Sequence, residues 1–511
     1  MTTVAELATA LRAGQTPAFA ANANTRAYAA ELDAQDPVRH LRDEFIVPTK
    51  QMINRSSLSE LPAASAPPSH GHDESSLYFC GNSLGLQPKT VGTYVQAQLA
   101  TWASIGVKGH FRALDPATTP IPAWQDMAAG CATQMARLVG AASPAEVVAM
   151  NTLTVNLHLM MASFYRPTAT RHKIIAEWKP FPSDSYALES QIQWHGLDVA
   201  TSLVELQPDE NLYISTASVL KTIDEHADET ALLLLPGIQY YTGQLFDMQR
   251  ITAHARSKGI VVGWDLAHAV GNVELHLHDW HVDFAVWCTY KYLNAGPGSI
   301  AGAFVHARHG QVVPRDGSSS SSTDGLDLDL DVRHAGFDYQ PRLAGWYGGD
   351  LRVRFRMAKT FQPTPGAQGF QLSNPSAIDL ASLSGALAVY DKTDMATLRN
   401  KSLALTAYAE KLLNELLADA AASSKNNNDD TAGTPPFRII TPANPAERGA
   451  QLSVLLRDSS VLAKVTAAMD SADIVMDQRK PNVIRIAPVP LYNTFADVYQ
   501  VVDVLRRALL V

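Results

Sequence analysis

An acid, a histidine and a lysine stand where two neighbouring apolar runs end. Asp265 and His268 close IVVGWDLAH, and Lys291 follows Tyr290 at the end of DFAVWCTYK. The lysine is delivered into NAGPGS, a loop with almost no side chains to cover it. Ala295, Gly296 and Gly298 leave space there for a ligand close to backbone. In a partly desolvated pocket such an amine loses charge and becomes a better nucleophile. Other apolar runs end in groups that complement it. EVVAM leads into Asn151–Thr154 at the start of a helix, where free N–H groups and hydroxyls make an anion site. HKIIAEW leads into KPFPSD, with Phe181, Pro182, Ser183 and Asp184, and ALLLLPG, with Pro236, leads into IQYYTGQ.

Singly these signals are weak. A lysine after a strand is usually a solvent-facing end, the aspartate of DLAH a turn or cap residue, and NAGPG a turn. Their order along one chain carries the argument. An anion site, an aromatic face, an acid, a histidine and a lysine describe a pocket for pyridoxal phosphate. The lysine bonds to the aldehyde, the acid keeps the pyridine nitrogen protonated so that the ring accepts electrons, the aromatic stacks on the ring, and the helix start takes the phosphate. A nicotinamide site fits less well, because neither GVKGHFRAL nor GPGSIAG forms G-x-G-x-x-G after a first strand.

The elements that position these groups alternate strand and helix, which implies βαβ units and a mainly parallel sheet with ligands at the carboxyl ends of its strands. The helix in SDSYALESQIQWHG is expected to be capped by Ser183 or Asp184, and DMQRITAHARSKG to stop at Gly259. The expected organisation is an N-terminal helical segment and linker over 1–75, a large α/β cofactor domain over 76–365, and a smaller α+β domain over 366–511. The low-complexity stretches 316–331 and 423–436 read as flexible surface insertions.

The 511 residues are 46% hydrophobic and 18% charged, with net charge −9 and no basic tract, which argues against nucleic acid. No apolar run is long enough for a membrane span. The N-terminus lacks a secretory pattern, and Cys80, Cys131 and Cys288 lie far apart, so the expectation is a cytoplasmic protein. In HLHDWH, alternate spacing puts His276 and His278 on one strand face. No carboxylate geometry beyond Asp279 accompanies them and His281, so no metal site is assigned.

At these residues the chain resembles the kynureninases, fold-type-I pyridoxal-phosphate enzymes related to class V aminotransferases. YFCGNSLGLQPK, MNTLTVNLHLMM, DLAHAVGNVELHLHDW, WCTYKYLNAGPGSIAGAF, GWYG, LSNP and IRIAPVPLYN carry the resemblance. It implies that Lys291 bonds to the cofactor, Asp265 pairs with its ring nitrogen, His268 supports that site and Phe181 stacks. Leu153, Thr154, Tyr290 and Trp346 would hold the phosphate end, Trp346 from a second subunit of a homodimer. Pro182, Ser183 and Asp184 belong to the same cofactor site, and Pro236 falls where some members carry a serine. Asn374 would lie near cofactor and substrate ring, Arg485 would clamp the substrate carboxylate, and His110 would shape the ring pocket. The implied reaction is hydrolysis of kynurenine and 3-hydroxykynurenine, with Tyr290 either a proton donor or a phosphate ligand only. Two alternatives stand beside it: a cysteine desulfurase using Cys80, and an inactive scaffold that would have lost Lys291 or Asp265.

Overall fold

The computed structural model describes residues 3–54, 75–117, 119–314, 336–356, 361–426 and 435–510. The insertion at 316–331 and most of that at 423–436 lie outside them, although the helix Met395–Asn426 runs into the second. Strands of the two main sheets are numbered here in chain order. The larger sheet contains β1 (Val147–Ala149), β2 (Lys173–Glu177), β3 (Leu203–Leu206), β4 (Thr230–Pro236), β5 (Val261–Asp265), β6 (Phe284–Trp287) and β7 (Gly302–Val305). Their order is β1-β7-β6-β5-β4-β2-β3, and β7 alone runs against its neighbours. This is the mainly parallel, helix-flanked sheet that the alternation of strand and helix predicts.

Both faces of this sheet are covered, which is why its strands are near-continuous apolar runs. Along β4, Leu233 and Leu235 join Trp264 and Trp287 in one core, while Leu232 and Leu234 join Val286 and Phe164 in the core of the opposite face. The helix Ala377–Tyr390 adds Leu380, Leu383 and Leu387 to the first core. Each such side chain contributes roughly 1.5–3 kcal/mol when fully buried.

The smaller sheet is antiparallel, with β8 (Phe437–Ile439), β9 (Leu452–Leu456), β10 (Asp477–Arg479) and β11 (Val483–Ile486) in the order β8-β9-β11-β10. Its core takes in Tyr408, Leu412 and Leu416 of the helix Met395–Asn426 and Val498 and Val501 of Phe495–Leu510. The first helices of the chain join that core through Val4, Leu7, Tyr28 and Leu32. The N-terminal segment is therefore stitched to the C-terminal unit.

Candidate active site

Three strand ends bring the chemistry together. β5 stops at Asp265, and the turn after it carries His268, both buried. β6 stops at Trp287, and Lys291 follows with its Nζ 3.0 Å from His268 Nε2. Burial and the Lys291 charge hold His268 well below the usual imidazole range, so it is a neutral acceptor beside the amine. Its Nδ1 is buried without a hydrogen-bond partner among the described residues. Lys291 Nζ also lies 6.0 Å from the Phe181 ring, which is left 45% exposed and meets Tyr240 edge-on at 5.4 Å.

The loop after Lys291 is built for its path as well as for space. Asn294, Gly296 and Gly298 all have positive φ, at 59°, 95° and 66°. Gly85 donates to the Tyr290 carbonyl at 2.8 Å, and a Cβ there would stand 2.4 Å from the Lys291 carbonyl oxygen. The GNSLG turn thus packs directly on the lysine backbone.

An anion site lies alongside. The helix Leu153–Phe164 and the helix Pro182–Trp194 both start without a side-chain cap; in the second, Pro182 has no N–H and Asp184 N donates to the Phe181 carbonyl at 2.8 Å, so Ser183 N is the N–H of that first turn left to face a ligand. Thr154 Oγ1 and Ser183 Oγ, one from each helix, are 2.6 Å apart. The second helix opens earlier than expected. Phe181 is its N-cap and Pro182 its first residue, so Ser183 and Asp184 are inside the first turn rather than capping it. Asp184 is buried there. Burial, then the Asp265 charge and a hydrogen bond to Asp265, push its carboxyl well above the usual range. Asp184 thus keeps its proton as the donor to Asp265. Pro236 ends β4 in register with Asp265 and brings no hydroxyl. Tyr290 is half-buried, and burial raises its phenol, which keeps it an O–H donor.

Arg485 on β11 is fully buried and already engaged. Its Nε donates to Asp477 Oδ1 at 3.1 Å, its Nη2 lies 2.6 Å from Asp477 Oδ2, and its Nη1 donates to the Tyr240 carbonyl at 2.8 Å. The ion pair weighs toward a structural part, yet the same guanidinium helps depress His268, so it belongs electrostatically to this site. Asp477, Arg479 and Tyr240 were not singled out from the sequence. The charges at Asp477, Arg479 and Arg485 on adjacent strands, with Asp477 opposite Arg485, were the available signal.

Three expected site residues make other contacts or lie exposed. Trp346 is 45% exposed and stands edge-on to Phe355 at 5.6 Å. His110 stands edge-on to Trp124 at 5.0 Å, and Asn374 is exposed. The HLHDWH segment forms turns rather than a strand, so His276 and His278 do not share a strand face. His276 packs edge-on against Trp280, whereas His278 Nδ1 is 2.8 Å from Glu146 Oε1, with His306 3.7 Å from the same oxygen. Cys80 is half-buried and paired through a backbone bridge to Ala487. Burial and Asp477 push its thiol up to about 12, which removes the thiolate that a desulfurase would need.

Lysine, paired acids, a neutral histidine, an open aromatic face and two uncapped helix starts fit pyridoxal phosphate, and the orphaned His268 nitrogen shows polar capacity reserved for a ligand. The fold and this site define a fold-type-I pyridoxal-phosphate enzyme. Solved structures agree on the fold. A cysteine desulfurase of Escherichia coli superposes with TM-score 0.62 at 16% identity, covering 85% of this chain and 94% of that one. The cystine C-S lyase C-DES, in complex with cysteine persulfide, gives 0.60 at 15% identity, over 84% and 97%. Residues 123–316 match the aminotransferase class-V family, and residues 398–505 match the kynureninase C-terminal domain. Kynureninase 1 of Neurospora crassa is 58% identical over 98% of both chains, and kynureninase of Pyricularia oryzae is 59% identical over 96% of both. The chain belongs to the kynureninase family.

Proposed function

We propose that the strand-end cluster around Lys291 is the active site for hydrolysis of L-kynurenine and 3-hydroxy-L-kynurenine at the Cβ–Cγ bond, giving anthranilate or 3-hydroxyanthranilate and L-alanine. The observation that carries the assignment is the amine of Lys291 held 3.0 Å from a buried, neutral His268 beside Asp265 and Phe181. The cofactor, when bound, supplies an aldehyde for amines and a ring that accepts electrons. Lys291 would hold the cofactor through its aldehyde, and its free amine would take and return the proton at the substrate Cα. His268 accepts a hydrogen bond from that amine and keeps its lone pair aimed. Asp265, with Asp184 as its hydrogen-bond donor, would meet the ring nitrogen, and Phe181 would cover a ring face. Leu153, Thr154, Ser183 and the two helix starts hold the phosphate, with Tyr290 as a donor nearby. Arg485, oriented by Asp477, takes the α-carboxylate.

The ring pocket is completed by a second copy of the chain. Support comes from a surface of exposed aromatic and aliphatic groups in which Phe111, Trp346 and Phe355 touch one another. Trp346, His110 and Asn374 would reach a neighbouring site from that surface. We further read the protein as a cytoplasmic homodimer acting in tryptophan degradation and NAD biosynthesis. Its free thiols suit a reducing compartment, and no described helix is long and apolar enough to cross a membrane.

Kynurenine turnover by purified enzyme tests the reaction, and subunit mixing tests the shared site. Lys291→Ala and Trp346→Ala should each be nearly inactive alone. Dissociated and reassociated together, they should regain about a quarter of wild-type activity, because half the dimers are hybrid and each hybrid has one intact site. No recovery from demonstrably mixed dimers would place Trp346 in its own subunit's site.

A further inference from the structure

One buried acid has no part in the chemistry above. Glu177 ends β2 at the carboxyl edge of the large sheet and is 1% exposed. Its Oε1 accepts from Gln239 Nε2 at 3.4 Å, and its Oε2 has no hydrogen-bond partner among the described residues. Gln239 is oriented from its other end. Its Oε1 accepts from Tyr241 N at 2.7 Å, Thr242 N at 2.8 Å and Thr242 Oγ1 at 3.2 Å. Its amino group must therefore face Glu177 and the Lys179 carbonyl, 3.2 Å away.

The groups that act on Glu177 come from every side. Asp265 is on β5, Asp184 on the helix after Phe181, Tyr240 on the loop after β4, and Lys179 on the loop after β2 itself. The Lys179 ammonium is drawn aside, 4.2 Å over the Tyr241 ring. Three carboxyls thus crowd one desolvated edge with Lys291 as the facing cation. They cannot all be ionised, since buried charges without partners are costly. Asp184 keeps its proton against Asp265, and Glu177 keeps its own.

We propose that Glu177 is a positioning residue for the reaction: buried at the same strand edge as Asp265 and anchored by Gln239, it sets the charge that Asp265 presents to the cofactor ring. The inference rests on the reading that Asp265 faces the ring nitrogen. Burial pushes Glu177 up, the Gln239 hydrogen bond pulls it back and the Asp265 charge raises it again, leaving it at about 8. Ionisation above that pH places an extra negative charge beside Asp265, where it opposes electron flow into the ring.

Glu177→Gln is the test, because glutamine keeps an acceptor for Gln239, stays neutral and has nearly the same shape. In wild-type holoenzyme, kcat should fall about tenfold between about pH 7 and about pH 9, as expected for one group titrating midway. The cofactor absorption spectrum should shift over the same range. In Glu177→Gln the fall should be about twofold or less, with no matching spectral shift. A pH profile and spectrum that superimpose on wild type overturn the inference, and a lowered melting temperature with an unmoved profile would make Glu177 structural only. Asp265→Asn separates this from the parent reading: if that variant keeps the wild-type spectrum and kcat, Asp265 does not face the ring, and the role of Glu177 falls with it.

Discussion

The large sheet carries buried carboxyls at both edges, and the two edges treat them in opposite ways. At the amino edge, Glu146 precedes β1, Asp283 precedes β6, and His306 follows the reversed β7. Glu146 Oε1 accepts from Ala307 N at 2.7 Å and pairs with His278 at 2.8 Å, while Oε2 accepts from Ala142 N at 2.8 Å. Asp283 binds His309 at 2.7 Å, Val262 N at 2.8 Å and Arg308. Burial alone would raise Asp283, but His309, Arg308 and Val262 N–H outweigh it and hold the carboxyl below its usual range. At the carboxyl edge, Glu177 keeps an oxygen without a partner among the described residues, and Asp184 is held protonated against Asp265. The same residue types at similar burial thus do two jobs. Saturated carboxylates have fixed charge and sew segments together. Unsaturated ones hold protons that can move and leave room for a ligand.

The largest effect should come from breaking the carboxyl edge at its amine. Lys291→Ala should abolish the visible cofactor band and lower kynurenine turnover on the order of 10⁴-fold or more, with little change in melting temperature. A variant that still binds cofactor covalently and cleaves kynurenine would remove Lys291 from its role.

Arg485 tests the border between the two kinds of cluster, because it is both saturated by Asp477 and close to His268. Its fixed position suits a clamp, since a guanidinium already oriented loses less freedom on meeting a carboxylate. Arg485→Lys should keep fold and cofactor spectrum but lose about 2–4 kcal/mol in kcat/KM. Wild type should strongly prefer kynurenine over its carboxamide, and the variant should lose most of that preference. Undiminished discrimination in the variant would make Arg485 a structural partner of Asp477.

The carboxyl edge was largely legible in the sequence, and the amino edge was not. Asp265, His268 and Lys291 each follow an apolar run, and a parallel sheet collects such residues at one edge. Phe181, Thr154 and Ser183 were reachable by the same rule. Glu177 was hidden because it is the last strand residue itself, not the residue after it, and strand periodicity alone does not mark a buried acid. The sequence points to Ser183 or Asp184 as the cap because Phe181 gives no cap signal, although Pro182 marks a first helical turn. Glu146, His278 and His306 are distant in sequence and meet only because β7 turns back between β1 and β6. That reversal left no periodic trace. The N-terminal helices were legible as helices through their Ala, Leu and charge content, but their docking on the C-terminal core was not, since helical propensity does not show what a buried face packs against.

The smallest expected effect probes the amino edge by pH. His306 is buried, its Nδ1 accepts from Arg308 N at 3.3 Å, and its ring stacks on His278 at 4.6 Å. Burial, then Arg308, lower it from 6.5 to about 4, with Glu146 pulling the other way and His278 and His281 adding to the fall. Between these values the unfolded chain binds a proton that the folded chain refuses. Stability from this group is therefore complete above about pH 6.5 and lost as pH falls toward about 4, by about 2–3 kcal/mol at most. His306→Asn keeps an acceptor for Arg308 N but cannot titrate. Its melting temperature should fall less than that of wild type between about pH 7 and about pH 4.5. Kynurenine turnover near pH 8 should stay close to wild type, since no cofactor or substrate contact is removed. Equal acid sensitivity in the two proteins would assign the loss to other groups. A variant of normal stability but low turnover would show that the amino edge also serves catalysis, and the contrast between the edges would then fail.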